Sequence, residues 1–111
     1  MKPELRNWTH VMECPKKKAK AFGIANGNKM TVLEGSTVAR QEAPSMKKLQ
    51  STAWEIRQTL LRGVIVESEN GQLSFCRDFP FVCFSDAAMV VEGGSRSGPG
   101  KWKKRVSLGT A

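Results

Sequence analysis

The chain has no tyrosine, a single histidine and only three cysteines in 111 residues. Each shortage excludes something. Three sparse thiols, Cys14, Cys76 and Cys83, exclude the disulfide framework of a small secreted scaffold and are expected to be reduced. With His10 as the sole imidazole, a nucleophilic cysteine would have one candidate base, in a segment that carries no other catalytic signature. The chain contains no apolar run of about eighteen residues, the length a membrane-spanning helix needs. Residues 1 to 10 also lack the apolar stretch of a secretory signal. A cytoplasmic protein that does not engage membranes is expected.

What is present is enough for one ordinary domain. The chain is 40% hydrophobic, and at this length it can bury roughly two thirds of the surface its unfolded form exposes. Its core therefore requires no metal, cofactor or disulfide. The net charge of +8 is unevenly placed. Residues 1 to 20 hold six bases against Glu4 and Glu13, and residues 96 to 111 hold five bases and no acid, whereas the middle is nearly balanced. Basic ends of this kind suit contact with a polyanion, and they also keep a small protein soluble.

Hydrophobic spacing and turn signals predict an α+β fold. Residues 1–15 form an N-terminal segment in which Leu5, Trp8, Val11 and Met12 recur at helical spacing until Pro15 stops them, predicting a short helix. Residues 16–103 make a single domain, and 104–111 a flexible basic tail. Asn26-Gly27 and Asn70-Gly71 each lie between apolar stretches and predict two β-hairpins, the first with strands near 20–25 and 29–34. The second joins Val64-Ile65-Val66 to Leu73-Ser74-Phe75. Residues 36–44 read as a connection. Met46, Leu49, Ala53, Ile56 and Leu60 mark one face of the main helix, about 45–62, with Arg57 off that face and Gly63 closing it in a left-handed turn. The two hairpins are expected to form one sheet beneath this helix. Phe79, Phe81 and Phe84 read as core aromatics. Ser85 is expected to cap a second short helix, about 85–92, closed by Gly93-Gly94.

Few residues suggest chemistry. His10 and Cys14 have the spacing of two metal ligands, but Cys76 and Cys83 do not complete a knuckle, so no metal site is assigned. Residues 93–101 are rich in glycine but fail as a phosphate-binding loop, because Trp102 follows Lys101 where a hydroxyl is needed. Asp86 serves the first turn of a helix better than it would serve a carboxylate pair with Asp78. The most suggestive patch is Lys101-Trp102-Lys103-Lys104-Arg105, whose bases can neutralise phosphates while the indole either stacks on an unpaired base or packs in the core. Arg96 belongs to the same basic end. Lys16, Lys17, Lys18 and Lys20 form a weaker cluster with no aromatic inside it.

Several motifs together resemble the family called domain of unknown function 4357. They run from Cys14 through Ala19, Ala21 and Gly23, then Val32-Leu33-x-Gly35-Ser36, Leu60 to Gly63, and Phe75-x-x-Asp78-Phe79-x-Phe81. Ser85-x-Ala87-Ala88, Val90-Val91-x-Gly93 and Gly98-x-x-x-Trp102-Lys103 complete the set. This chain departs from the family pattern in having Cys83-Phe84-Ser85 for Ser-Pro-Ser and Ser97-Gly98-Pro99 for Asn-Gly-Trp, which removes any contact that tryptophan makes in relatives. The resemblance implies company with GIY-YIG endonuclease domains and restriction-modification proteins. Without tyrosine, the chain cannot itself be the GIY-YIG nuclease.

The expected function is that of a noncatalytic accessory module binding nucleic acid, DNA in particular, through Arg96, Lys101–Arg105 and Lys16–Lys20. The rival is a protein-interaction module acting with a nuclease or restriction-modification partner. It would show an apolar surface patch in place of a basic face.

Overall fold

Both Asn-Gly hairpins form, but they belong to different sheets. The computed structural model describes residues 3–42, 52–94 and 101–105. Its strands are β1 (His10–Cys14), β2 (Ala19–Asn26), β3 (Lys29–Val32), β4 (Thr37–Val38), β5 (Ile65–Glu67), β6 (Leu73–Phe75), β7 (Phe79–Phe81) and β8 (Lys103–Lys104). One sheet has five strands in the order β7-β3-β2-β1-β8, and the other has three in the order β4-β6-β5. Two helices, α1 (Thr52–Leu60) and α2 (Phe84–Glu92), complete an α+β domain. Among the described residues no helix is long and apolar enough to cross a membrane.

The first hairpin turns one residue later than Asn26-Gly27 suggests. Asn26 pairs with Lys29, so the loop is Gly27-Asn28, and Gly27 takes a φ of 61° at the first loop position. Two-residue hairpin turns favour glycine there, because it accepts positive φ without a Cβ clash. Strand β3 leaves β2 after Val32, and two hydroxyls continue the pairing across to β4. Ser36 Oγ accepts from Phe22 N at 3.0 Å and donates to Phe22 O, while Thr37 Oγ1 accepts from Lys20 N at 2.8 Å and donates to Lys20 O. These four bonds join the two sheets.

The core lies between one face of the five-stranded sheet and α2. Met12, Ala21, Met30, Val32 and Phe81 face Ala87, Ala88, Val90 and Val91, and Val38, Ile65, Leu73 and Phe75 of the smaller sheet close one side. Small residues at Ala19, Ala21 and Gly23 let the helix approach closely. A Cβ at Gly23 would lie 2.4 Å from Met30 Sδ. Helix α1 packs chiefly on α2, so it is the short helix and not the main one that lies on the sheets.

Several expectations are corrected. Residues 10–14 are a strand and not part of a helix, because alternation sends Met12 into the core and Val11 and Glu13 to the other face, and all five residues pair with β2. Residues 36–44 are not wholly a connection, since β4 lies within them. Lys104 and Arg105 are not a loose tail: Lys104 pairs with His10, and Arg105 N donates to Thr9 O at 2.7 Å. Gly63 takes no left-handed φ, and α1 ends by a turn in which Val64 N donates to Leu60 O. Cys83 rather than Ser85 caps α2, its sulfur accepting from Asp86 N, and Gly93 closes that helix at φ 72° as expected. Met46, Lys47, Lys48 and Leu49 lie outside the described residues.

The largest correction is Arg57, which is fully buried. Its Nε donates to Glu42 Oε2 at 2.9 Å, Nη1 to Val90 O at 2.6 Å, and Nη2 to the carbonyls of Ala39 and Arg40. Burial pulls its pKa down and Glu42 pushes it back, leaving a guanidinium that stays charged.

Leu60→Ala should cost about 2 to 5 kcal/mol, since Leu60 is buried. Arg57→Met should cost about 3 to 5 kcal/mol, because it leaves the carbonyls of Val90 and Ala39 without this donor and Glu42 with Gln58 alone. Urea unfolding measures both, and a loss below about half a kcal/mol for either would place that side chain at the surface. Cys83→Ser should stabilise by about 0.5 to 1 kcal/mol, oxygen being the better N-cap acceptor.

Candidate nucleic-acid interface

Strand pairing decides which face each basic residue occupies. Residues opposite one another in an antiparallel sheet share a face, and neighbours along a strand alternate. Met12, Ala21, Met30 and Phe81 mark the inner face. The outer face therefore carries Glu13 and Lys20, which pair, then Val11, Phe22 and Lys103 in a row, and Ile24, Thr31 and Pro80 in another. Lys29 lies at one end of it. Arg105, two residues beyond Lys103, has its guanidinium 4.6 Å from the Trp8 ring centroid.

The N-terminal segment crosses this face and places Trp8 upon it. Arg6 binds Asp78 at 2.6 Å, and Asp78 also accepts from Glu34 N at 2.8 Å, which together hold the Asp78 carboxyl below its ordinary range. Trp8 meets Phe22 edge-on, centroids 5.2 Å apart, and Lys20 reaches over Phe22 at 5.5 Å. Phe22 is thereby buried on a face that is otherwise largely solvated. The result is an indole and a phenyl ring among Lys20, Lys103 and Arg105, with Lys29 further along and Glu13 as the one acid among the paired strand positions of that face.

The basic residues singled out in the sequence divide between surfaces. Lys20, Lys103 and Arg105 share the outer face. Lys104 pairs with His10, whose pKa is lowered by burial first and then by Lys104. Lys16 and Lys17 stand on a turn of 3₁₀-helix, Pro15–Lys17, and Lys18 closes it at φ 54°. These three line a cleft of about 280 Å³ with Ala39, Arg40 and Gln41. Glu67 and Glu69 border the adjoining hollow, and Arg40 is bonded to Glu67 and to Gly71 O. Lys17 is engaged with Glu92 O at 3.0 Å. Of its four cations Lys17 and Arg40 are already bonded, which leaves Lys16 and Lys18 for an anion, with the two acids of the adjoining hollow nearby, and makes it the poorer phosphate site. Lys101 is exposed and acts with Lys17 on the Cys14 thiol. Arg96 lies outside the described residues.

Trp102 takes the packing role of the two that the sequence leaves open. It is 5% exposed, and its indole N–H donates to Phe84 O at 3.1 Å. A buried ring presents no face to a base. Sequence reasoning missed Trp8 in this position because helical spacing assigned it to an apolar stripe. Its place beside Phe22 follows from β1 being a strand.

Other groups show little chemistry. Burial first, then Glu92, raises the Cys14 pKa, which keeps it a thiol. His10 and Cys14 sit four residues apart on one strand, about 13 Å in extended chain. His10 instead bonds Thr9 Oγ1 at 2.9 Å and meets Phe84 edge-on. Among the described residues no three histidine, cysteine or acidic side chains gather as a metal site would require.

A family model described as a domain of unknown function (DUF4357) matches residues 12–108. The chain matches no curated protein and no solved structure.

Burial, and secondarily Lys104, hold the His10 imidazole below its ordinary pKa. The folded state therefore favours the neutral ring, and the stability it contributes is present above about pH 6.5 and lost as pH falls below that. An NMR titration should give His10 a pKa below 6.5, and Lys104→Gln should raise it part of the way back. A His10 pKa at or above 6.5 in the unaltered protein would show that the ring is solvated and unaffected by Lys104.

Proposed function

Because the chain belongs to the DUF4357 family, whose description assigns no activity, we propose a function from its own surface: it is a cytoplasmic, noncatalytic accessory module that binds nucleic acid across the outer face of the five-stranded sheet. One observation carries this reading. That face gathers four cations, Lys20, Lys29, Lys103 and Arg105, with Glu13 the one acid among its paired strand positions, and sets an indole among them. A surface of this kind neutralises successive phosphates and releases their counterions. The likeness to modules that accompany nucleases and restriction-modification proteins supports DNA as the partner, by association only.

The protein-interaction reading has less behind it. Among the described residues the most exposed large apolar side chains, Leu5, Leu61, Val66 and Val82, fall on four separate segments. Apolar side chains scattered singly are normal on any surface.

Fluorescence anisotropy with labelled oligonucleotides at about 50 mM salt tests the proposal, screening being weak there. Binding should weaken steeply as salt rises. Replacing Lys20, Lys103 and Arg105 together by glutamate should lower the slope of log K against log salt by about 2 to 3, one counterion per lost contact. Glutamate at Lys16 and Lys18 should change affinity several-fold less. If the unaltered protein bound no nucleic acid at this salt, the proposal would be wrong.

A further inference from the structure

The outer sheet face also bears on which form of nucleic acid it takes. We infer that the ligand is a single strand, one of whose unpaired bases stacks on Trp8 in the place now held by the Arg105 guanidinium. This rests on the nucleic-acid reading above and goes a step further.

Three observations support it. First, a duplex is read by an element that enters a groove, and the major groove, about 12 Å wide, admits a helix or a two-stranded ribbon. Five strands at about 4.8 Å spacing span roughly 19 Å, too broad to enter the major groove of an undeformed duplex. Second, neither helix could replace the sheet in that role. Among the described residues α1 carries one cation, the buried Arg57, and α2 carries none, whereas Glu55, Asp86 and Glu92 lie on them. A helix bearing acids repels phosphates. Third, the indole of Trp8 already holds a planar, delocalised cation against its face. A base is likewise planar and polarisable, and base–aromatic stacking tolerates any sequence.

The arrangement gives each residue a task. Trp8 is positioned from below by Phe22 and along the chain by Trp8 N donating to Arg6 O at 2.9 Å. Arg105 is anchored through its backbone to Thr9 O, so its side chain can leave the ring for a phosphate beside the stacked base while its backbone stays in place. Lys20, opposite Glu13, and Lys103, opposite Val11, stand on the same face and meet the phosphates on either side of the stacked base. Base stacking and charge neutralisation are thus offered on one sheet face.

The probes are single-stranded DNA and RNA oligomers of about fifteen nucleotides, within the span one small module covers, a DNA duplex of equal length, and a polyphosphate chain without bases. Anisotropy, with unlabelled polyphosphate as competitor, should rank either single strand at least tenfold above the duplex and the polyphosphate. The DNA and RNA arms show which sugar is preferred. Trp8→Leu should weaken single-strand binding about 5- to 150-fold, the equivalent of one lost stack, and leave duplex and polyphosphate binding unchanged. Should that variant fail to fold, the unaltered protein supplies a second reading. Light-driven cross-linking to an oligomer carrying 5-iodouracil should label the peptide containing Trp8. Equal affinity for all four polyanions, or cross-links confined to other peptides, would overturn the stacking inference and leave phosphate binding standing. Preference for the duplex would overturn it as well. Absence of binding to every probe would remove both readings together.

Discussion

The carbonyl end of α2 is the constraint on which the rest of the molecule depends. A helix leaves its last four carbonyls without partners, and here each finds a donor from a different part of the chain. Gly93 N reaches Met89 O at 2.8 Å, Arg57 reaches Val90 O at 2.6 Å, Ala39 N reaches Val91 O at 2.8 Å, and Lys17 reaches Glu92 O at 3.0 Å. Two of the four donors are cations, which also suits the negative end of the helix dipole. The turn after β1, the segment after β4, helix α1 and the loop after α2 all converge there. Gly93 itself could be nothing larger, for a Cβ would stand 2.7 Å from Gln41 O.

This convergence separates structural cations from available ones. Arg57 and Lys17 hold the fold together, and Arg40 is tied to Glu67, so a count of bases overstates what a ligand can use. Of the remaining cations, Lys20, Lys29, Lys103 and Arg105 lie on the side of the sheet away from α2. Because the helix covers the inner face, the alternation of β2, β3 and β8 sends every second residue outward, and those positions are where Lys20, Lys29 and Lys103 fall. The core and the basic face are two consequences of one register.

Features set by local chemistry were legible in the sequence. Both hairpins announced themselves through Asn-Gly, and α2 through its alanines, valines and terminal glycines, because turns and short amphipathic runs depend on residues near one another. Strands β4, β7 and β8, of two or three residues each, exist only through partners far away in sequence, and no periodicity can develop in so short a span. Arg57 escaped for another reason. It lies four residues after Ala53 and three before Leu60, on the very stripe that is buried, but a guanidinium is ordinarily assigned to solvent. Half of the candidate interface was visible as charge. Its indole was assigned to Trp102 and not to Trp8, because which ring is covered is decided by packing alone.

The outermost strands of the larger sheet have one further consequence. An unpaired strand border is a template on which another chain can add, and natural sheets blunt it with short strands, lysine or proline. Strand β8 consists of two lysines, and β7, at the opposite border, has Pro80 at its centre, where one amide donor is missing. Both borders are thus guarded by side-chain identity. A valine at 103 or 104 would suit a strand well and leave the pairing with β1 intact, yet it would turn a repellent border into an adhesive one. Residues that would look freely exchangeable from within a single molecule are constrained by the encounters between molecules.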